Sequence, residues 1–170
     1  KTYYPSNHSI LNMSFHNQLA ALCLEKGRSV SVAESCTSGL ISSRITLVSG
    51  ASAYFQGGII AYQNTIKAKL LGVDKDLLDE RKEVGAQVAV QMAQGVKERF
   101  NADYSIATTG FAGPLGGTID NPIGTVFISV CGIVSIDVKR FIFEGDRESI
   151  VSQASEKSLE MLCDAIKKDK

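Results

Sequence analysis

A hydroxyl or thiol does chemistry only when a neighbour takes its proton, so the informative places are those where a nucleophile, a base and backbone donors fall close together. Three stretches qualify. AESCTSG, residues 33–39, lies where an apolar strand hands over to an amphipathic segment. Such a junction sets short polar side chains beside free N–H groups and the positive end of a helix dipole, which favours negative charge. Ser35, Cys36, Thr37 and Ser38 are candidate nucleophiles or anion ligands there, with Glu34 and Gly39 beside them. Simple N-capping by Ser or Thr is the plainer alternative. Among the nucleophiles, physical chemistry alone favours Cys36, because a helix N-terminus lowers a thiol's pKa and thiolates attack well.

AYQNTIK, residues 61–67, carries Tyr62, Asn64 and Lys67. A serine needs a base, and the chain has 2 histidines. His8 falls in the N-terminal tail and His16 near the start of the first helical segment, where it reads as a surface residue. A Ser–Lys pair with a tyrosine relaying the proton is the natural substitute. A free lysine has a pKa near 10.4. Burial or a cationic neighbour must lower it by roughly 2–3 units for that role. Arg44 and Lys69 are the neighbours at hand, and the alternative is a solvated helix lysine.

TTGFAGPLGG, residues 108–117, is rich in glycines, which let a backbone approach a ligand closely. It is neither a P-loop nor a dinucleotide fingerprint, since no G-K-[ST] follows and the G-x-G-x-x-G spacing is absent.

The elements that must position these stretches follow from apolar periodicity. Phe15, Leu19, Leu22 and Cys23 recur at helical spacing between Ser14, an N-cap, and Gly27, a stop. Residues 29–34 alternate as a strand with Val30 and Val32 on one face. Leu40, Ile41, Ile45 and Val48 mark a helix ended by Gly50. A second strand is expected over 57–62, then a helix capped by Asn64 and ended by Gly72, then a solvated helix or loop over 74–83. Val84, Val88, Met92, Val96 and Phe100 step by four, the cleanest helix of the chain. A strand over 103–108, a long Gly/Pro-rich loop, an antiparallel hairpin over 124–143 tight at Gly132, and a last helix capped by Asp146 complete the order. The hairpin's second strand alternates strictly and is expected to be half exposed. Interleaved strands and helices predict an α/β fold, a sheet covered on both faces, and the late hairpin makes that sheet mixed.

Composition bounds the rest. The 170 residues fit one domain, expected over 14–170, with 1–13 a disordered tail, tag or linker. Hydrophobic residues make up 44% and charged residues 21%, so the chain is not a disordered one. Lys plus Arg and Asp plus Glu both number 18, which argues against a basic surface for nucleic acid or an acidic membrane. No apolar run approaches the roughly 18 residues of a membrane span, and residues 1–12 lack the apolar core of a secretory signal. Cys23, Cys36, Cys131 and Cys163 form no C-x-x-C pair, so they read as reduced, buried thiols of a cytoplasmic protein, and no Cys/His cluster has zinc spacing. A thiol redox role for Cys36 has no second cysteine placed to resolve it.

Taken together, AESCTSGLISSRIT, SGASAYFQGGIIAYQNTIKAKLLGV, TGFAGPLGGTIDNPIGTV and FEGDRESI resemble, in order and spacing, the CinA C-terminal domain family. The likeness runs from about residue 15 to the last helix. It implies a three-layer α/β/α sandwich with a mixed, mostly parallel sheet. It implies an amidohydrolase that converts nicotinamide mononucleotide to nicotinic acid mononucleotide and ammonia, without metal or other cofactor. It makes Ser35 the nucleophile, in place of Cys36, with Tyr62 and Lys67 as the family's tyrosine and lysine. Substrate contacts are expected from Glu34, Thr37, Gly39, Asn64, Thr109, Gly110, Ala112, Gly113 and, through its side chain, Arg147. Backbone N–H groups at the start of the second helix are the oxyanion candidates. Three positions depart from the family's habit: Ser38 stands for a glycine, Leu115 for Gly or Asp, and Gly85 where Ser is common. A non-catalytic nucleotide-binding or regulatory module is the competing expectation. The partner expected is a small nucleotide, and exposed apolar faces on the hairpin permit a homo-oligomer.

Overall fold

The computed structural model describes residues 13–79 and 84–168. The expectations for the tail before Met13, and for the end of the 74–83 stretch, lie outside the described residues. Chain order is α1 (Phe15–Lys26), β1 (Val30–Glu34), α2 (Leu40–Thr46), a 3-10 turn (Ala51–Ala53), β2 (Phe55–Ile60), α3 (Asn64–Leu71), α4 (Lys75–Asp79), α5 (Ala86–Phe100), β3 (Tyr104–Gly110), β4 (Thr125–Cys131), β5 (Ile136–Ile142) and α6 (Arg147–Lys168).

The strands form one sheet in the order β2-β1-β3-β4-β5. β1 is parallel to both β2 and β3, while β4 is antiparallel to β3 and to β5. Four strands therefore share a direction and β4 alone runs against them, the mixed, mostly parallel sheet expected. Helices cover both faces. Leu19, Ile41, Ile45, Leu159 and Leu162 of α1, α2 and α6 pack with Val30, Val32, Ile106 and Ile128 on one face. Leu71, Val88, Met92 and Val96 of α3 and α5 pack with Ala33 and Ala107 on the other.

Period-2 alternation decides what each strand offers to each layer. In β1 every residue is buried, as befits a central strand. Val30 and Val32 join the α1/α2/α6 core, and Ser31 turns the other way to donate to Val96 O of α5 at 3.4 Å. The same alternation continues past the strand: Glu34 faces α2, and Ser35 falls to the side of α3 and α5. That side is drawn together at Gly95, where an added Cβ would lie 1.9 Å from Leu71 O. Only a glycine lets α5 and α3 approach so closely.

Several boundaries move from their sequence positions. α5 begins at Ala86 because Gly85 is extended, leaving Val84 to pack with Ala89 and Phe127. Gln63 occupies the cap position expected for Asn64, which becomes the first residue of α3. Ser14 sits at the N-cap of α1 but its side chain makes no capping bond, whereas Asp146 accepts from the Ser149 N–H at 2.9 Å as a cap should. The four cysteines are free and buried. No described helix is long and apolar enough to cross a membrane.

Candidate active site

The cleft that gathers the chemistry opens at the carboxyl ends of β1 and β3, the end at which open α/β sheets bind ligands. It measures about 330 Å³ and is lined by Ser35 and Cys36, by Tyr62, Gln63, Asn64 and Lys67, and by residues of the 109–115 loop with Arg147. A larger cavity of about 410 Å³ lies at the other end of the sheet, between Tyr104, Gly132 and Met161, and none of the expected site residues lines it.

Ser35 is the first residue after β1. Its backbone N–H donates to Thr108 O at 3.1 Å, which holds it against β3, and it is 7% exposed. Lys67 sits one turn into α3, is 3% exposed, and donates from Nζ to Asn64 Oδ1 at 3.1 Å. The lysine is therefore a buried one, not the solvated helix residue of the alternative. Its expected cationic neighbours are elsewhere. Arg44 donates to Ser152 O, Ser152 Oγ and Glu156 on α6, and Lys69 is exposed on the outside of α3. Lys67 is thus buried in the cleft while Arg44 is engaged on α6.

Tyr62 is half exposed at the rim. Its hydroxyl accepts from Arg147 Nη2 at 2.9 Å, and Arg147 Nη1 donates to Gly113 O at 2.6 Å. The guanidinium thus clasps the β2–α3 connection to the loop, at a point where the Gly113–Pro114 peptide is cis. Thr109, Gly110 and Ala112 lie along the wall of the same cleft.

Three expected ligands lie on the opposite side of β1. Glu34 is fully buried. Its carboxylate accepts from the N–H groups of Gly39, Ile41 and Ser42 at 2.8–3.1 Å and from Ser42 Oγ at 2.7 Å. Thr37 shares a 2.8 Å hydroxyl–hydroxyl bond with Thr108, and Gly39 is the left-handed residue that opens α2. None of the three lines the cleft. The start of α2 is therefore corrected as an oxyanion site: its N–H groups are taken by the chain's own carboxylate.

Cys36 also falls short of its billing. It lines the cleft but is 5% exposed, and burial pushes its thiol up to about 12 against the opposing pull of Lys67. The helix that would have lowered its pKa starts at Leu40 and already carries a carboxylate at its N-terminus. Ser38 adopts a left-handed backbone, φ 55°, the conformation that a glycine would hold without strain. Leu115 stands 87% exposed at the cleft's mouth. Gln63, Val84 and Phe111 also line the cleft and were not singled out from the sequence. Phe111 had a readable signal, an aromatic inside a Gly-rich loop. Val84 had none, since its spacing assigns it to α5.

Comparison with known proteins agrees with this architecture. The model of the CinA C-terminal domain matches residues 12–166. A CinA-like protein of Geotalea uraniireducens (strain Rf4) is 48% identical over 132 residues, 78% of this chain and 31% of its own length. A putative competence-damage inducible protein of Halothermothrix orenii is 42% identical over 135 residues, 79% of this chain and 33% of its own. The chain thus spans about a third of the length of these curated relatives. The crystal structure of the competence/damage inducible protein CihA from Agrobacterium tumefaciens superposes with a TM-score of 0.87 at 30% identity, covering 99% of this chain and 100% of that one. That of competence damage-inducible protein A from Klebsiella pneumoniae gives 0.88 at 26% identity, covering 92% and 97%. With nearly the whole sequence matched and the fold shared, the chain belongs to the CinA C-terminal domain family.

Proposed function

We propose that this chain is an amidohydrolase that deamidates nicotinamide mononucleotide, with Ser35 as nucleophile and Lys67 as its base. The observation that carries the reading is that a serine at a strand end and a 3% exposed lysine line one polar cleft. His16, the histidine among the described residues, is bonded to Ser14 on α1.

Lys67, acting in its neutral form, takes the Ser35 hydroxyl proton. Tyr62, whose hydroxyl accepts from Arg147 at the rim of the same cleft, is the relay of this reading. Ser35 Oγ then bonds to the carboxamide carbon, which the cationic pyridinium ring makes electron-poor, and the C=O electrons move onto oxygen. Collapse of that oxyanion breaks the C–N bond, and the leaving nitrogen takes the proton from Lys67 and departs as ammonia. A water, deprotonated by Lys67, attacks the acyl-serine; its oxygen ends in the carboxylate and Ser35 regains its proton. With the start of α2 occupied and the Phe111 N–H given to Thr125 O at 2.9 Å, the N–H groups of Gly110, Ala112 and Gly113 along the cleft wall are the oxyanion donors of this reading. Arg147 has five N–H donors, two of which serve Tyr62 and Gly113, leaving others for the substrate phosphate.

The reading is tested by ammonia release from a panel of amide-bearing nucleotides. Turnover of nicotinamide mononucleotide supports it. Binding without turnover of any amide favours the non-catalytic nucleotide-binding module instead.

A further inference from the structure

β5 is the outer strand of the sheet, and its free edge is patterned. Phe143, one residue past the strand, donates its N–H to Gly124 O on the β4 side at 2.9 Å. The β4–β5 register runs unbroken from Thr125↔Ile142 to Cys131↔Ile136. Opposed residues in an antiparallel ladder alternate between pairs that exchange both bonds and pairs that exchange none. Ile136, Val138, Arg140 and Ile142 therefore turn their N–H and C=O groups outward, where no described strand meets them.

Such a row is a template for another strand, and proteins commonly guard it with a lysine. Lys139 alone would be that guard. It is accompanied by Asp137 on the same face, 3.7 Å away, with both side chains more than half exposed. Two copies related by a two-fold axis perpendicular to the sheet place residues of like parity opposite one another. Centred on Val138, this sets Asp137 of each copy against Lys139 of the other, twice. It also sets Ile136 against the stem of Arg140, and Val134 against Ile142. Centring on Asp137 or Lys139 opposes like charges, and centring on Arg140 opposes two arginines, each unfavourable. Val134 is 91% exposed, Ile142 53% and Ile136 42%, so the matched register also removes apolar side chains from water.

We propose that the chain pairs with a second copy of itself through antiparallel β5 edges in the register centred on Val138, giving a ten-stranded sheet. This rests on the sheet edge and not on the amidase reading. Sedimentation velocity of the full chain over a wide concentration range tests it. The expected result is a dimer whose Kd rises about tenfold or more in Lys139→Glu, since both attractive pairs become repulsive. Exchanging the charges, Asp137→Lys with Lys139→Asp, restores the wild-type Kd. Hydrogen exchange adds a residue-level readout: the amides of Ile136, Val138 and Arg140 gain protection with concentration, and those of Asp137 and Lys139, bonded to β4, do not change. A chain monomeric at every concentration, a dimer indifferent to Lys139→Glu, or a charge exchange that fails to restore association would each overturn the proposal.

Discussion

At the scale of single residues, Lys67 and Cys36 share a place but not a role. Both line one cleft, and both are less than a tenth exposed. Burial makes the thiol hold its proton to about 12, which removes it as a nucleophile near neutrality. A lysine that serves as the base must act neutral. Arginine keeps its charge at any working pH. Lys67→Arg is therefore expected to lower kcat by at least about a thousandfold while the chain stays folded by circular dichroism. Ser38 makes a separate prediction. Its left-handed backbone strains a residue with a Cβ, so Ser38→Gly is expected to raise stability by about 0.5–1 kcal/mol, read as a shift of the urea midpoint. The types and spacing of Ser35, Tyr62, Asn64 and Lys67 were legible in the sequence. The roles of Cys36 and Arg44 were not, because the first depends on burial and the second on which side of the sheet a helix packs.

At the scale of elements, alternation along β1 sorts the AES tripeptide into a structural residue and a reactive one. Glu34 and Ser35 point to opposite faces, so they cannot serve the same cleft. Glu34 instead satisfies the donors of α2, a helix too short to hold its first turn by propensity alone. Its four bonds fix the turn from Ser35 to Gly39. Glu34→Gln replaces one acceptor oxygen with a donor that faces other donors. A loss of about 2 kcal/mol in denaturant unfolding is expected, with kcat falling more than KM rises, because the affected element ends at the nucleophile. Period-2 counting from Val30 predicts these faces without a structure. The grip of Glu34 on α2 required knowing that the chain turns back toward the sheet within five residues. The helix boundaries shifted for local reasons of the same kind, as at Gly85, where an extended residue separates Val84 from the helix that its spacing alone would assign it to.

At the scale of the whole molecule, the fold class, the two helical layers and the late hairpin followed from the order of periodic segments, and strand order did not, since β2 reaches the edge only through the crossover that places α2 on one face. Zero net charge is consistent with a site that meets an anion through one arginine and backbone donors. The buried thiols give the molecule a pH dependence. Cys23, Cys36 and Cys163 are each pushed up to about 12 by burial, well above the ordinary thiol range. Above about pH 9 the unfolded chain releases protons that the folded chain keeps, so folding stability falls as pH rises. Urea midpoints are expected to be level between about pH 7 and 8 and to decline from about pH 9 upward. A midpoint that rises over that interval would contradict the burial of these groups. The central claim is that Ser35, with no catalytic part for Cys36, releases ammonia from nicotinamide mononucleotide. The direct measurement is the rate of that release by the wild-type chain, Ser35→Ala and Cys36→Ala. The account predicts turnover by the wild type and Cys36→Ala within a few-fold of each other, and a loss of at least about a thousandfold in Ser35→Ala. Full activity in Ser35→Ala, with loss in Cys36→Ala, would contradict it.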